Sequence, residues 1–432
     1  MKTLNIGLIG FGTIGAGVVE SIQKNVKLIE ARTGITPVIT KIADLDIITD
    51  RGVKVPDGVL MTDAMALIES PDVEVVIELV GGTTIAKKFV VAALTHGKSV
   101  VTANKALLAK YGKELFELAD HYHCEIYFEA SVGGGIPCIK ALREGLVANH
   151  IEKVYGILNG TCNYILTKME CEKADFTKTL LDAQEAGYAE ANPSADIDGY
   201  DTANKAAIIA SLAFGKWFSV EDVDVQGIRD VTVQDIEFAA SLGYRIKLLA
   251  VIKNVHQKIQ LSVHPSLVPF NSLISHVNDV FNALLIQGDI VGSTMYYGRG
   301  AGRAATSSAV IADLIDLGLN KACNSARRLP AFPQFNEYKG LLPSTEVRSR
   351  FYVRLQVEDS SGVLSKISGI LGNHHISIAS VSQNESRGNS VPMIMLTHIA
   401  CQDEMKKALI EIEKESQVLE KPVIFRIEDL ER

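Results

Sequence analysis

Lys205 follows Asp201 by four residues, at the end of the run GYAEANPSADIDGYDTANK, Gly187–Lys205. The run holds four carboxylates, Glu190, Asp196, Asp198 and Asp201, and one lysine that leads into the apolar stretch AAIIASLAF. With a helix starting near Tyr200, the four-residue spacing puts Asp201 and Lys205 on one face. Carboxylates beside an amine suit two tasks, holding the amino group of an α-amino acid and moving a proton. Taken alone, the run reads first as a solvated helix start whose acids are favoured by the helix dipole. The rest of the chain separates these readings.

A second chemical signal is Gly10-Phe11-Gly12-Thr13-Ile14-Gly15, which follows an apolar strand and opens a helix. Gly10 permits a tight turn, Gly12 lets the backbone approach a pyrophosphate, and Gly15 lets helix and strand pack closely. The helix N-terminus offers N–H donors to phosphates. Asp44 stands at the end of the next strand, where an acid bonds the ribose 2′-hydroxyl and repels a 2′-phosphate, which favours NAD over NADP. Asp44 lies 29 residues past Gly15, longer than the usual ~20, as an extended helix and loop would make it. Arg51 is placed to meet a 2′-phosphate if its loop folds back. In VTANK, an apolar strand delivers Lys105 to the carboxyl end of a parallel sheet, where ligands bind in such folds. In FEASVGGGI, Glu129 precedes three glycines. That bend reads as a hinge, and it also offers a carboxylate and carbonyl oxygens to a hard cation.

The elements that must position these groups fall into three parts. Residues 1–135 alternate strand and helix signals, which implies a doubly wound parallel sheet of the Rossmann type. Residues 136–302 mix strands such as KIQLSVHPSLV with helices such as ANKAAIIASLAF and DIEFAASLGYRIKLLAVI, an α+β domain with a separate sheet. The stretch 303–325 returns to a helix suited to packing on the first domain. Residues 326–350 read as a linker. Residues 351–432 run strand, helix, strand, strand, helix, strand, the ferredoxin-like βαββαβ order.

The totals agree with an enzyme of this build. A chain of 432 residues exceeds one ordinary core. Its 47% apolar and 22% charged residues suit a globular protein, and a net charge of −8 argues against a nucleic-acid surface. No apolar stretch approaches the roughly 18 residues needed to span a bilayer. The opening residues MKTLNIGLIG read straight into a strand, without the h-region and small-residue cleavage site expected of a signal peptide. The six cysteines are scattered, with no CxxC pair, as expected of free thiols in the cytoplasm. His121, His123 and Cys124 sit together, but no second ligand pair follows to complete a zinc site.

GFGTIG, TANK, FEASVGGGIP, GILNGTCNYIL, GYAEANPSADIDGYDTANK and YYGRGAG occur in this order. Together they closely resemble homoserine dehydrogenases over roughly residues 1–325. The C-terminal part resembles an ACT domain, cued by Glu358-Asp359-Ser360-Ser361-Gly362-Val363-Leu364. The resemblance implies reversible NAD(P)H-dependent reduction of L-aspartate 4-semialdehyde to L-homoserine, in the threonine, methionine and isoleucine branch of amino-acid biosynthesis. By the same resemblance, Phe11, Thr13 and Ile14 line the cofactor phosphates, Gly187 and Gly302 approach the cofactor, and Lys105 contacts cofactor and substrate. Glu190 and Asp201 hold the substrate amino group, Asp196 lies near the substrate, and Lys205 donates the proton to the aldehyde oxygen. Glu129, with the carbonyls of Val132, Gly134 and Ile136, matches a monovalent-cation site, usually sodium. Asp198 reads as a turn residue and Cys162 as packing.

The resemblance also implies an amino-acid effector at the ACT domain, threonine foremost, and a homodimer or homotetramer. Other readings are another ACT-regulated amino-acid dehydrogenase, or a non-catalytic amino-acid sensor. A semialdehyde dehydrogenase of the acyl-phosphate type needs a thiolate with a histidine partner. Neither Cys138 nor Cys162 has an evident one.

Overall fold

The computed structural model describes residues 2–323, 325, 329–330, 332, 338–383 and 389–430. The expected linker 326–350 thus lies partly outside the described residues, as do 384–388 and 431–432 of the expected C-terminal domain. The chain forms two compact units, residues 1–154, 203–223 and 281–338 in the first, and residues 155–202, 224–280 and 339–432 in the second.

The first unit is built on six strands: β1 (Lys2–Ile9), β2 (Ile35–Ala43), β3 (Leu60–Met61), β4 (Val75–Glu78), β5 (Ser99–Thr102) and β6 (Ile126–Tyr127). They form one parallel sheet in the order β3-β2-β1-β4-β5-β6. Every residue of β4 and β5 is buried, as near-continuous apolar runs require in a sheet covered on both faces. Strand β6 is shorter than the run EIYFEASV suggests, because Glu129–Ser131 turn into a 3₁₀ segment. The helix Arg303–Ala322 packs on this sheet, where Val310, Leu314 and Leu317 join Leu4, Ile6 and Val18 in one core.

In the second unit, the run read as one helix, DIEFAASLGYRIKLLAVI, is a helix and a strand. The helix Val233–Ser241 ends before Gly243, whose φ of +82° few other residues tolerate, and Tyr244–Val255 continues as a strand. That strand pairs antiparallel with Lys258–Pro269 across His256–Gln257, both left-handed, which gives the twist a two-residue hairpin needs. The stretch had an apolar content that fits either period, and only pairing decides between them.

The C-terminal part follows the expected order: Arg348–Glu358, helix Val363–Asn373, Ile378–Gln383, Ser390–Thr397, helix Gln402–Ile412 and Val423–Ile427. Its sheet continues into the rest of the unit, since Val423–Ile427 pairs parallel with Lys258–Pro269. Buried polar groups reinforce this seam. Asp235, fully buried, accepts hydrogen bonds from Arg354 Nε at 2.7 Å and from the Tyr352 hydroxyl at 2.9 Å. Among the described residues, no helix is long and apolar enough to cross a membrane.

Candidate active site

The loop Gly10–Gly12 lies between β1 and the helix Thr13–Thr33, whose N-cap is Gly12. No side chain caps this helix, so its first N–H groups stay directed at the loop's open side. A Cβ at Gly15 would stand 2.1 Å from the Gly10 carbonyl oxygen, whereas one at Gly12 would meet nothing. Gly15 therefore serves close packing, and Gly12 leaves room for a ligand. Beside the loop is a cavity of about 640 Å³ lined by Gly10, Gly12, Asp44, Leu45, Met65, Leu79 and Lys88, among others. These residues fit the adenosine end of a dinucleotide. The Asp44 carboxylate accepts the Phe11 N–H and, at 2.9 Å, the Asp46 N–H, so it is locked at the cavity edge. Arg51 pairs with Asp46 at 2.9 Å.

At the carboxyl ends of β4 and β5 a buried acid organises the loop that carries Lys105. Glu78 and Thr102 are register partners, and the Thr102 hydroxyl donates to Glu78 Oε2. Thr102 in turn accepts the Asn104 N–H at 3.0 Å. The Asn104 side chain accepts the Leu107 N–H and donates to the Gly82 carbonyl at 2.7 Å. Lys105, half-buried, is then the first residue of the helix Lys105–His121. Burial raises the Glu78 carboxyl above its ordinary range, against the lowering effect of its hydrogen bonds.

Glu129 is buried, and its oxygens accept the N–H groups of Ile139 at 2.9 Å and Lys140 at 2.8 Å. Its own N–H donates to Asp313 at 2.8 Å. Burial pushes the Glu129 carboxyl up to about 7, opposed by these N–H groups and by Arg143 and Lys140. Asp313 is likewise raised, by burial and then by the charge of Glu129. The Cβ that Gly134 lacks would stand 2.5 Å from the Gly300 carbonyl, so the two glycine clusters of this unit are pressed together. Gly302, at φ +114°, is the N-cap of the helix Arg303–Ala322, and Arg303 pairs with Glu20 at 2.8 Å.

The helix Tyr200–Phe214 carries Asp201 in its first turn and Lys205 one turn later. Each is only 8% exposed, which removes the reading of a solvated helix start. In the second unit, the Asn159 amide nitrogen donates to Asp196 Oδ1 at 2.7 Å and to Asp201 Oδ2 at 2.9 Å. Glu190 lies exposed in the loop after Gly187, and its carbonyl accepts the Gln184 side-chain amide. Asp198 is instead held by Arg229, with one contact at 3.1 Å, as a turn residue would be.

Asn159, Glu78 and Asp313 have no role in the sequence reading. A signal existed for two of them. Asn159 stands between a strand and Gly160-Thr161, a position suited to an N-cap, and Glu78 is an acid inside an otherwise apolar buried strand.

Comparison with known proteins bears on what this arrangement does. A family model described as "Homoserine dehydrogenase, NAD binding domain" matches residues 10–129, one described as "Homoserine dehydrogenase" matches 137–315, and an ACT-domain model matches 351–417. A homoserine dehydrogenase of Neisseria gonorrhoeae is 41% identical over 435 residues, covering 100% of both chains. The crystal structure of a homoserine dehydrogenase from Thiobacillus denitrificans superposes with a TM-score of 0.94 at 40% identity, covering 99% of each chain. A hyperthermophilic archaeal homoserine dehydrogenase in complex with NADPH gives a TM-score of 0.63 at 28% identity, covering 74% of this chain and 98% of that one.

Proposed function

Since the chain belongs to the homoserine dehydrogenase family of NAD(P)-dependent oxidoreductases, we propose that Lys205 and Lys105 carry its chemistry. The reaction is the reversible reduction of L-aspartate 4-semialdehyde to L-homoserine. The nicotinamide, when bound, supplies or accepts the hydride. Lys205 donates the proton that the aldehyde oxygen needs as it becomes an alkoxide, and its ammonium stabilises the developing charge. Lys105 fixes cofactor and substrate. Glu190, Asp196 and Asp201 receive the substrate's amino group. Gly10 to Gly15 cradle the pyrophosphate, and Gly187 and Gly302 close on the cofactor. The observation that carries this reading is the burial of Asp201 and Lys205 one turn apart on one helix. Initial rates of homoserine oxidation by Lys205→Ala, set beside its nucleotide affinity, test it.

NAD is the favoured cofactor. Support comes from the Asp44 charge at the cavity edge and from Arg51, which is already paired with Asp46. The NADPH held by the archaeal relative argues for some use of both. Initial rates with each cofactor decide the preference.

Glu129 with the carbonyls of Val132, Gly134 and Ile136 would hold a monovalent cation, sodium foremost. One buried carboxylate among carbonyls is a hard-oxygen donor set that fits such an ion. At the ACT domain, the turn Glu358–Leu364 would bind an amino-acid effector, threonine foremost. Homoserine oxidation rates with and without threonine test this. A cytoplasmic homodimer or homotetramer completes the reading. The domain limits proposed are 1–135 with 303–325, 136–302, a linker at 326–350, and 351–432.

A further inference from the structure

Asp196 and Asp201 are brought together by a group that does not neutralise them. Asn159 is the N-cap of the helix Gly160–Glu172, and its side-chain oxygen accepts the Cys162 N–H at 2.8 Å. That bond fixes which way the amide faces, so its nitrogen must point at the two acids. The nitrogen donates one N–H to Asp196 at 2.7 Å and the other to Asp201 at 2.9 Å. Asn159 is 5% exposed and its bond to Asp201 is buried, so water has little access to the amide. The same turn holds Asp196 twice more. The Thr161 hydroxyl, which donates to the Tyr188 carbonyl at 2.6 Å, also lies 3.3 Å from Asp196 Oδ2, and Cys162 Sγ lies 3.2 Å from the Asp196 carbonyl.

A lysine or arginine at position 159 would gather the same acids but cancel their charge. A neutral amide gathers them and adds no positive charge of its own to compete with a ligand's ammonium group. We infer that Asn159 is a positioning residue that sets recognition of the substrate's amino group, by holding Asp196 and Asp201 as a paired receptor. This rests on the reading of those two acids as amino-group ligands.

The test uses three variants of the full chain. Asn159→Ser keeps a capping oxygen but is too short to reach the acids. Asn159→Asp keeps the shape and the cap, and donates only while its carboxyl is protonated. Asp201→Asn removes one acid directly. For each, kcat and KM for homoserine, KM for the nicotinamide cofactor, the pH profile and Tm are measured.

The inference expects Asn159→Ser to raise KM for homoserine about tenfold, one good hydrogen bond's worth, with cofactor KM within about twofold of wild type. It expects Asn159→Asp to recover homoserine kcat/KM as pH falls, a trend the wild type lacks. Should Asn159→Ser prove too unstable to assay, the pH profile of Asn159→Asp decides alone. A wild-type profile in Asn159→Asp, or equal changes in homoserine and cofactor KM in Asn159→Ser, overturns the inference. If Asp201→Asn raises homoserine KM while both Asn159 variants behave as wild type, the acids keep their role and only the inference fails. If Asp201→Asn leaves homoserine KM unchanged, the reading of the acids fails and takes the inference with it.

Discussion

The Thr102 hydroxyl donates to the Glu78 carboxylate at 2.7 Å, joining the ends of two neighbouring parallel strands beneath the loop that bears Lys105. The other Glu78 oxygen accepts the Val80 N–H at 2.9 Å. Glu78→Ala leaves the buried Thr102 hydroxyl without its acceptor, at a cost of about 1–3 kcal/mol, readable in urea unfolding. Glu78→Gln keeps an acceptor for Thr102 and should cost less than half as much. With Lys105 delivered by this loop, kcat for homoserine should fall more in Glu78→Ala than in Glu78→Gln.

The Glu129 carboxyl predicts how a cation depends on pH. Its affinity for a proton is raised in the fold from 4.5 to about 7. Between those values the folded chain binds a proton that the unfolded chain has lost, so its contribution to stability is fullest below 4.5 and declines as pH rises through about 7. A bound cation favours the ionised form, so its benefit must grow as pH rises. Sodium chloride, against tetramethylammonium chloride at equal ionic strength, should raise Tm by about 2 °C or more at pH 8. The gain should be smaller at pH 6 and absent in Glu129→Gln. Equal gains at both pH values would remove Glu129 from the cation site.

Cofactor preference turns on Asp44 and Arg51. Asp44→Ser should shift the NAD:NADP ratio of kcat/KM toward NADP by about tenfold, the effect of removing one charge facing a phosphate. Because Asp46 already holds Arg51, Arg51→Ala should change KM for NADP by less than about threefold. A large rise in that KM would show Arg51 reaching the 2′-phosphate.

The seam between the C-terminal domain and the rest of its unit should be sensitive at Asp235. This acid accepts from Arg354 and Tyr352 in a buried setting, and from the Thr232 hydroxyl at the helix N-terminus. Asp235→Ala strands the Arg354 charge and should destabilise the protein by about 3–5 kcal/mol. Replacing Asp235 and Arg354 together with apolar residues should recover part of that loss. Guanidinium unfolding of the single and double variants measures both.

Much of this was legible in the residues. GFGTIG carries its own turn, packing and approach requirements, and the apolar runs of β4 and β5 announce a covered parallel sheet. The βαββαβ order is equally plain, because each element there has a clear period and a turn beside it. Other features lie in pairings that distance along the chain conceals. Asn159 meets Asp196 and Asp201 across 37 and 42 positions, and Glu129 meets Asp313 across 184. Residues 244–255 form a strand because 258–269 pair with them, a fact no local period records. Local patterns fix elements and loops, whereas buried polar partners follow from the tertiary fold.

The central claim is that Lys205, buried one turn from Asp201, donates the proton in homoserine chemistry. Its most direct test is the initial rate of homoserine-dependent nicotinamide reduction by wild type and Lys205→Ala, both saturated with cofactor. The account predicts ready turnover by the wild type and a fall of about 10²–10⁴-fold in the variant, with nucleotide affinity unchanged. Turnover by Lys205→Ala at the wild-type rate would contradict it.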